Sequence, residues 1–152
     1  MRKINKKYVP KILSRKDLKK QLNMLAKSRK LYKKREFYTR KKVASYPHKT
    51  SQHIQNARKI YNITSIVPSR ELSLATGCSI DALTQIVKKG EGAYYSSGSR
   101  PNQTPQSWGL ARLASAITSG KSAMVDYDIL KKGCNHNKKA FILANKSMKK
   151  YK

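Results

Sequence analysis

The sequence predicts an all-α protein, a small helical module with a helix-turn-helix-like hairpin, and three observations carry that prediction. Apolar residues recur three and four positions apart, as in Leu18, Leu22 and Leu25, the spacing of one helical face. Residues suited to helix N-caps precede these runs, at Ser14, Thr50 or Ser51, Ser69, Ser79, Thr104 and Ser122. A small pattern around Gly77 joins two such runs by a tight turn.

Taken in order, Ser14-Arg-Lys-Asp17 is a capping-box-like start to an amphipathic helix over 15–31 with a Lys/Arg face. A short helix over 52–61 places Ile54, Ala57, Ile60 and Tyr61 on one side. Pro68 and Ser69 then mark a stop and a new start. In Glu71–Ile86, Leu72 and Ser73 precede the turn, Gly77 supplies positive φ, and Ser79 caps the second helix. Leu72, Leu83 and Ile86 would close a small helix–helix core. In a DNA-reading version Ser79, Ile80, Asp81, Thr84 and Gln85 would face the major groove. That face holds Asp81 and no cation before Lys88, so a plain core hairpin is expected instead. Lys88-Lys89-Gly90 reads as the helix end, followed by a Gly/Ser-rich loop over 90–103. Thr104 and Pro105 open a helix expected to run to Gly120, and further helices are expected over 123–132 and 138–150.

Charge divides the 152 residues into three regions. Residues 1–60 hold 21 Lys/Arg against Asp17 and Glu36, residues 61–130 hold six against five acids, and residues 131–152 hold eight Lys and no acid, within a net charge of +28. The expected organisation is a basic N-terminal arm over 1–49, a central all-α module over 50–133 and a Lys-rich tail over 134–152. Such one-signed arms call for a polyanion or an acidic protein surface. The residues expected to bind nucleic acid or another anion are Arg15, Lys19, Lys20, Arg29, Lys33, Lys34, Arg35, Arg40, Lys41 and Lys42, with Arg100 and Lys121. DNA or RNA is the expected partner, with capsid proteins as a second possibility. Tyr8, Tyr32, Phe37, Tyr38 and Tyr46 lie among these cations and suit either base stacking or packing of the arm onto the core. The runs 33–35 and 40–42 also have the form of nuclear-import signals. The donor-rich loop with Arg100, ahead of a helix start, reads equally as an anion site or as a loop bonded to itself with Trp108 in the core.

Other classes are excluded by what is lacking. The longest apolar run, Ala140–Ala144, is far too short to cross a bilayer, and no apolar stretch follows the basic start, so neither a membrane span nor a secretory signal is expected. Cys78 and Cys134 form neither a CxxC pair nor a disulfide framework, which suits two thiols in a reducing compartment. His48, His53 and His136 stand at unrelated spacings, so no metal is expected. Ser119-Gly-Lys-Ser122 resembles the end of a phosphate-binding loop, but Ser115 stands where that motif needs Gly. Asp126 and Asp128 fall on different helix faces. No catalytic residue, cofactor or small-molecule substrate is therefore expected.

One resemblance adds a source. The strings Gly92-Ala-Tyr-Tyr-Ser-Ser-Gly-Ser-Arg-Pro-Asn-Gln-Thr104, Ser107-Trp-Gly-x-Ala-Arg112-Leu-Ala-Ser115 and Gly120-Lys-x-x-x-Val-Asp126 are similar to a family of small basic domains of giant nucleocytoplasmic DNA viruses, with shorter relatives in tailed phages. Asn5-Lys-Lys-Tyr-Val-Pro-Lys-x-Leu-Ser14-x-x-Asp17-x-x-x-Gln21 resembles the start of the same family, so the likeness spans about 5–135. It implies a viral protein of the virion, or of host cytoplasm or nucleus during infection. It carries no established activity. It makes Arg100, Pro101, Trp108, Gly109, Arg112, Lys121 and Asp126 signature positions; apart from the resemblance, Arg100 and Lys121 are expected to hold an anion, and Trp108 and Asp126 to fix the fold. The expected role is a non-catalytic virion protein that binds nucleic acid largely through phosphates. The alternatives are a minor capsid or internal scaffold protein, and an RNA- or ribosome-associated factor.

Overall fold

The computed structural model describes residues 4–47 and 50–151. Among them a 3-10 turn at Lys6–Tyr8 precedes eight helices: α1 Arg15–Lys33, α2 Gln52–Tyr61, α3 Arg70–Thr76, α4 Ile80–Ser96, α5 Pro105–Ala116, α6 Lys121–Val125, α7 Tyr127–Gly133 and α8 Lys139–Tyr151. The protein is all-α, as its spacing and caps predict. The caps act as expected at several starts. Ser14 Oγ accepts from the Asp17 N–H, Ser69 Oγ from Leu72, and Ser79 Oγ from Ala82. Each satisfies a donor that a helix start leaves without an intrahelical partner.

The chain forms two compact units, divided otherwise than into arm, module and tail. Unit 1 is Met1–Lys49 with Glu91–Trp108, and unit 2 is Thr50–Gly90 with Gly109–Lys152. The N-terminal segment is thus no free arm, because residues 91–108 pack with it. The tail is no tail either. In α8, Ala140, Phe141 and Ala144 join the core of unit 2, leaving the lysines outside.

Unit 2 is built on the hairpin. Leu72, Leu83 and Ile86 are fully buried, together with Leu113, Ile117 and Leu130. Gly77 adopts φ +81° as the C-cap of α3, a conformation costly for other residues. The turn is tied to the end of α7: Ser79 N–H donates to Gly133 O at 2.8 Å and Asn135 N–H to Gly77 O at 2.7 Å. Between those two bonds Cys78 and Cys134 form a disulfide. The expectation of two free thiols is corrected here. A separation of 56 positions says nothing about distance once α7 returns the chain to the hairpin turn.

Several helix boundaries also differ. α4 does not end at Gly90 but continues to Ser96. Gly90 is a contact point, since a Cβ there would lie 2.5 Å from the Cα of Gly109. The helix stops where Ser97 and Gly98 both donate to Ala93 O and Gly98 takes φ +132°. α5 ends at Ala116, short of Gly120. The helix expected over 123–132 is two helices meeting at Asp126, and Gly120 rather than Ser122 precedes the first. Ser122 N–H instead donates to Ser115 Oγ, the side chain standing where a phosphate loop would need Gly.

Candidate nucleic-acid interface

Both units carry cations, and unit 1 has the larger share, since unit 2 holds 15 Lys/Arg against four acids. Unit 1 holds 20 Lys/Arg against three acids, Asp17, Glu36 and Glu91. Fifteen of its seventeen described Lys/Arg are exposed, which decides that the charge is displayed on folded structure. Arg15, Lys19, Lys20, Lys33, Lys34, Arg35, Lys41, Lys42 and Arg100 all stand in solvent. Lys20 Nζ also donates to Lys42 O at 3.0 Å, tying α1 to the following segment. Lys121, at the first position of α6, is exposed on unit 2.

Arg29 and Arg40 are used differently. Arg29 is half-buried and holds the carbonyl of Ser97 through Nε and Nη2. Arg40 is buried, and its phosphate-binding role is corrected to a structural one. Its Nη1 donates to Ser28 Oγ and Tyr94 O, both at 2.9 Å, and its Nη2 to Ser99 Oγ at 2.7 Å. The guanidinium carbon lies 3.7 Å from the centre of the Tyr94 ring, an attraction strengthened where water is excluded. Burial draws the Arg40 guanidinium below its ordinary pKa and raises the Tyr94 phenol. The Tyr94 hydroxyl accepts the Arg40 backbone N–H at 2.8 Å.

These contacts explain the Ser-Gly-Ser-Arg-Pro-Asn-Gln-Thr string over 97–104. Ser99 holds Arg40, Pro101 is fully buried, and Asn102 grips the 43–46 segment three times. Its Oδ1 accepts Val43 N–H at 2.7 Å, while its Nδ2 donates to Val43 O and Tyr46 O. Thr104 and Ser107 cap α5 reciprocally, each side chain accepting the other's N–H. The string is a clasp in which Ser99 is spent on Arg40 and Asn102 on the 43–46 segment. Arg100, Ser97 and Thr104 of this string are exposed. Trp108 is half-buried, meeting Tyr8 edge-on at 6.3 Å.

A second tie fastens the start of α1. Ser45 donates to Asp17 Oδ2 through N–H at 2.8 Å and through Oγ at 2.5 Å, and Ser14 N–H donates to Ser45 Oγ. The return half of the capping box is therefore relayed through Ser45. Hydrogen bonds from the Ser45 side chain and backbone, with Lys20 nearby, hold the Asp17 carboxyl below its usual pKa of 3.8. A lowered folded-state value stabilises the fold above the unfolded pKa and is lost as pH falls through the folded one. The Tm advantage of the native chain over Asp17→Asn is therefore expected to shrink as acid unfolding is followed from pH 5 to pH 2. An advantage constant over that range would show that the carboxylate is not what these bonds favour.

The aromatics divide as well. Tyr8 and Tyr94 are buried, and Tyr38 and Tyr46 pack on Leu13, Met24 and Val43. Tyr32, Phe37 and Tyr95 form a surface cluster, with Tyr95 edge-on to the buried Tyr94 at 5.3 Å and Phe37 69% exposed. Tyr95 was hidden from sequence reasoning because the 90–103 stretch reads as loop.

Unit 2 holds the one buried ion pair of the described residues. Asp126, its side chain inaccessible to solvent, accepts from Arg112 Nε at 2.8 Å and Nη2 at 2.7 Å, a bidentate bond that raises the Arg112 pKa. Lys89 Nζ stands 3.9 Å off. Asp128 is exposed. His136 stacks on Phe141 with ring centres 4.1 Å apart, Cys134 is spent in the disulfide, and His48 lies outside the described residues. No group of three or more His, Cys, Asp or Glu suited to a metal occurs among the described residues. No described helix is long and apolar enough to cross a membrane.

Two all-α units, both bearing exposed cations and the second closed by a disulfide and an ion pair, define a small basic helical protein. Residues 5–137 match the family of unknown function DUF5824, and the chain belongs to that family. No curated protein and no solved structure matches it.

Proposed function

We propose that the chain is a non-catalytic nucleic-acid-binding protein whose unit 1 engages phosphates along α1 and the segment after it. The observation that carries this reading is the set of fifteen exposed cations on a folded unit with three acids, one of them held by Ser45. Fixed cations release condensed counterions on binding without first ordering a chain. The resemblance to domains of giant DNA viruses and tailed phages adds the proposal that this takes place on viral nucleic acid, in the virion or in the infected cell's cytoplasm or nucleus. RNA would meet the same cations as DNA.

The test is a salt titration of duplex DNA binding by the full chain. About ten phosphate contacts give a log–log slope near −9. Replacing Lys33, Lys34, Arg35, Lys41 and Lys42 by Gln is expected to make the slope shallower by about 4–5. An unchanged slope, or no binding at moderate salt, would overturn the reading. A second reading, a minor capsid or internal scaffold protein, is favoured by Leu74, Val125 and Ile142 of unit 2, apolar yet 73%, 56% and 47% exposed. It calls for saturable binding to one acidic protein.

A further inference from the structure

We infer that Tyr32, Phe37 and Tyr95 form a stacking platform for the bases of single-stranded nucleic acid, which rests on the reading of unit 1 above and names its substrate class. The Tyr32 and Tyr95 rings lie nearly parallel, 9° apart in plane with centres 5.9 Å apart. Phe37 leans on both, at 6.0 Å from Tyr32 and 5.1 Å from Tyr95. Packing alone does not explain Phe37. Tyr8 and Tyr94 of the same unit are 8% and 0% exposed, whereas Phe37 leaves 69% of its surface in water.

The way α1 ends sets Phe37 there. Glu36 N–H donates to Leu31 O and Arg35 N–H to Tyr32 O, the paired bonds of a Schellman turn. That turn needs a left-handed residue, and Arg35 fills it at φ +61° where Gly is the usual occupant. The reversal brings Phe37 back against Tyr32. It also leaves Lys33, Lys34 and Arg35 exposed in the bend between the two rings. Over residues 30–42 six cations are exposed, with Arg40 buried, against one acid, Glu36.

Rings bounded by cations match a base bounded by its phosphates. Every base has a flat face to stack, and single strands offer those faces while a duplex buries them between neighbouring pairs. An apolar protein partner would satisfy the rings but not the charge, so the cluster favours the polyanion.

The experiment is fluorescence anisotropy of the full-length protein with a labelled 20-nucleotide oligothymidylate and, separately, a 20-base-pair duplex. Phe37→Ala is expected to weaken oligothymidylate binding by about tenfold, the effect of losing one base stack, while duplex binding stays within about twofold. Phe37→Leu, apolar but without a flat ring, should match Phe37→Ala, and Phe37→Trp should restore binding. Circular dichroism melts of all three variants check that the exposed side chain leaves the fold intact. Equal losses on both ligands, no loss on either, or full affinity in Phe37→Leu would overturn the platform. If the native chain binds neither ligand, the phosphate-binding reading falls with it. If it binds both ligands and Phe37→Ala changes nothing, the platform alone falls.

Discussion

Arg112→Leu is expected to destabilise unit 2 by about 3–5 kcal/mol, the range for removing one partner of a buried ion pair. The carboxylate it leaves behind has no exposed surface, and Lys89, at 3.9 Å and 56% exposed, is too distant and too solvated to replace a bidentate guanidinium. The reverse change should be milder. Arg112 keeps 22% of its side chain in solvent, so in Asp126→Ala its charge can turn toward water. A loss of about 2 kcal/mol is expected there, set by desolvated polar groups losing partners. Urea denaturation of the two variants checks both magnitude and order. If Asp126→Ala were the more damaging, the pair would owe its importance to the junction between α6 and α7 rather than to buried charge.

Opening the Cys78–Cys134 bond is expected to be nearly as costly. The closed loop spans 56 positions, and the chain-entropy model assigns such a loop about 4 kcal/mol. For a chain of this length that corresponds to a fall in Tm of about 10 °C. Differential scanning calorimetry with and without dithiothreitol, alongside Cys78→Ser, measures it. Both should melt at the same lowered temperature. Reduction without effect would mean that the two backbone bonds beside the disulfide already hold the hairpin turn against 133–135.

Much of the helical layout was legible because its signals are local. Ser14, Ser69, Ser79 and Thr104 sit where helix starts need an acceptor, and Gly77 sits where a turn needs positive φ. The misreadings at Gly90, Arg40 and the cysteines concern partners distant in sequence. Gly90 resembles a helix end because its reason for being Gly, the approach of Gly109, lies 19 positions away. Arg40 looks like its neighbours Lys41 and Lys42, and only Ser28, Tyr94 and Ser99 distinguish it as buried. The two cysteines carry no spacing signal because their meeting depends on the path of α7. At the candidate site, the run of cations was plain, whereas the aromatic cluster needed Tyr95 to be on a helix.

The interleaving of the two units limits how this protein can be shortened. Removing residues 1–49 would not trim a dispensable extension. It would strip Tyr94, Ser99 and Asn102 of the groups they hold and leave a half-built unit inside the remaining chain. A fragment starting at residue 50 is thus a damaged protein rather than a bare core. Any evolutionary loss of unit 1 would have to delete two separate blocks together. Unit 1 can be silenced cleanly only by substituting side chains.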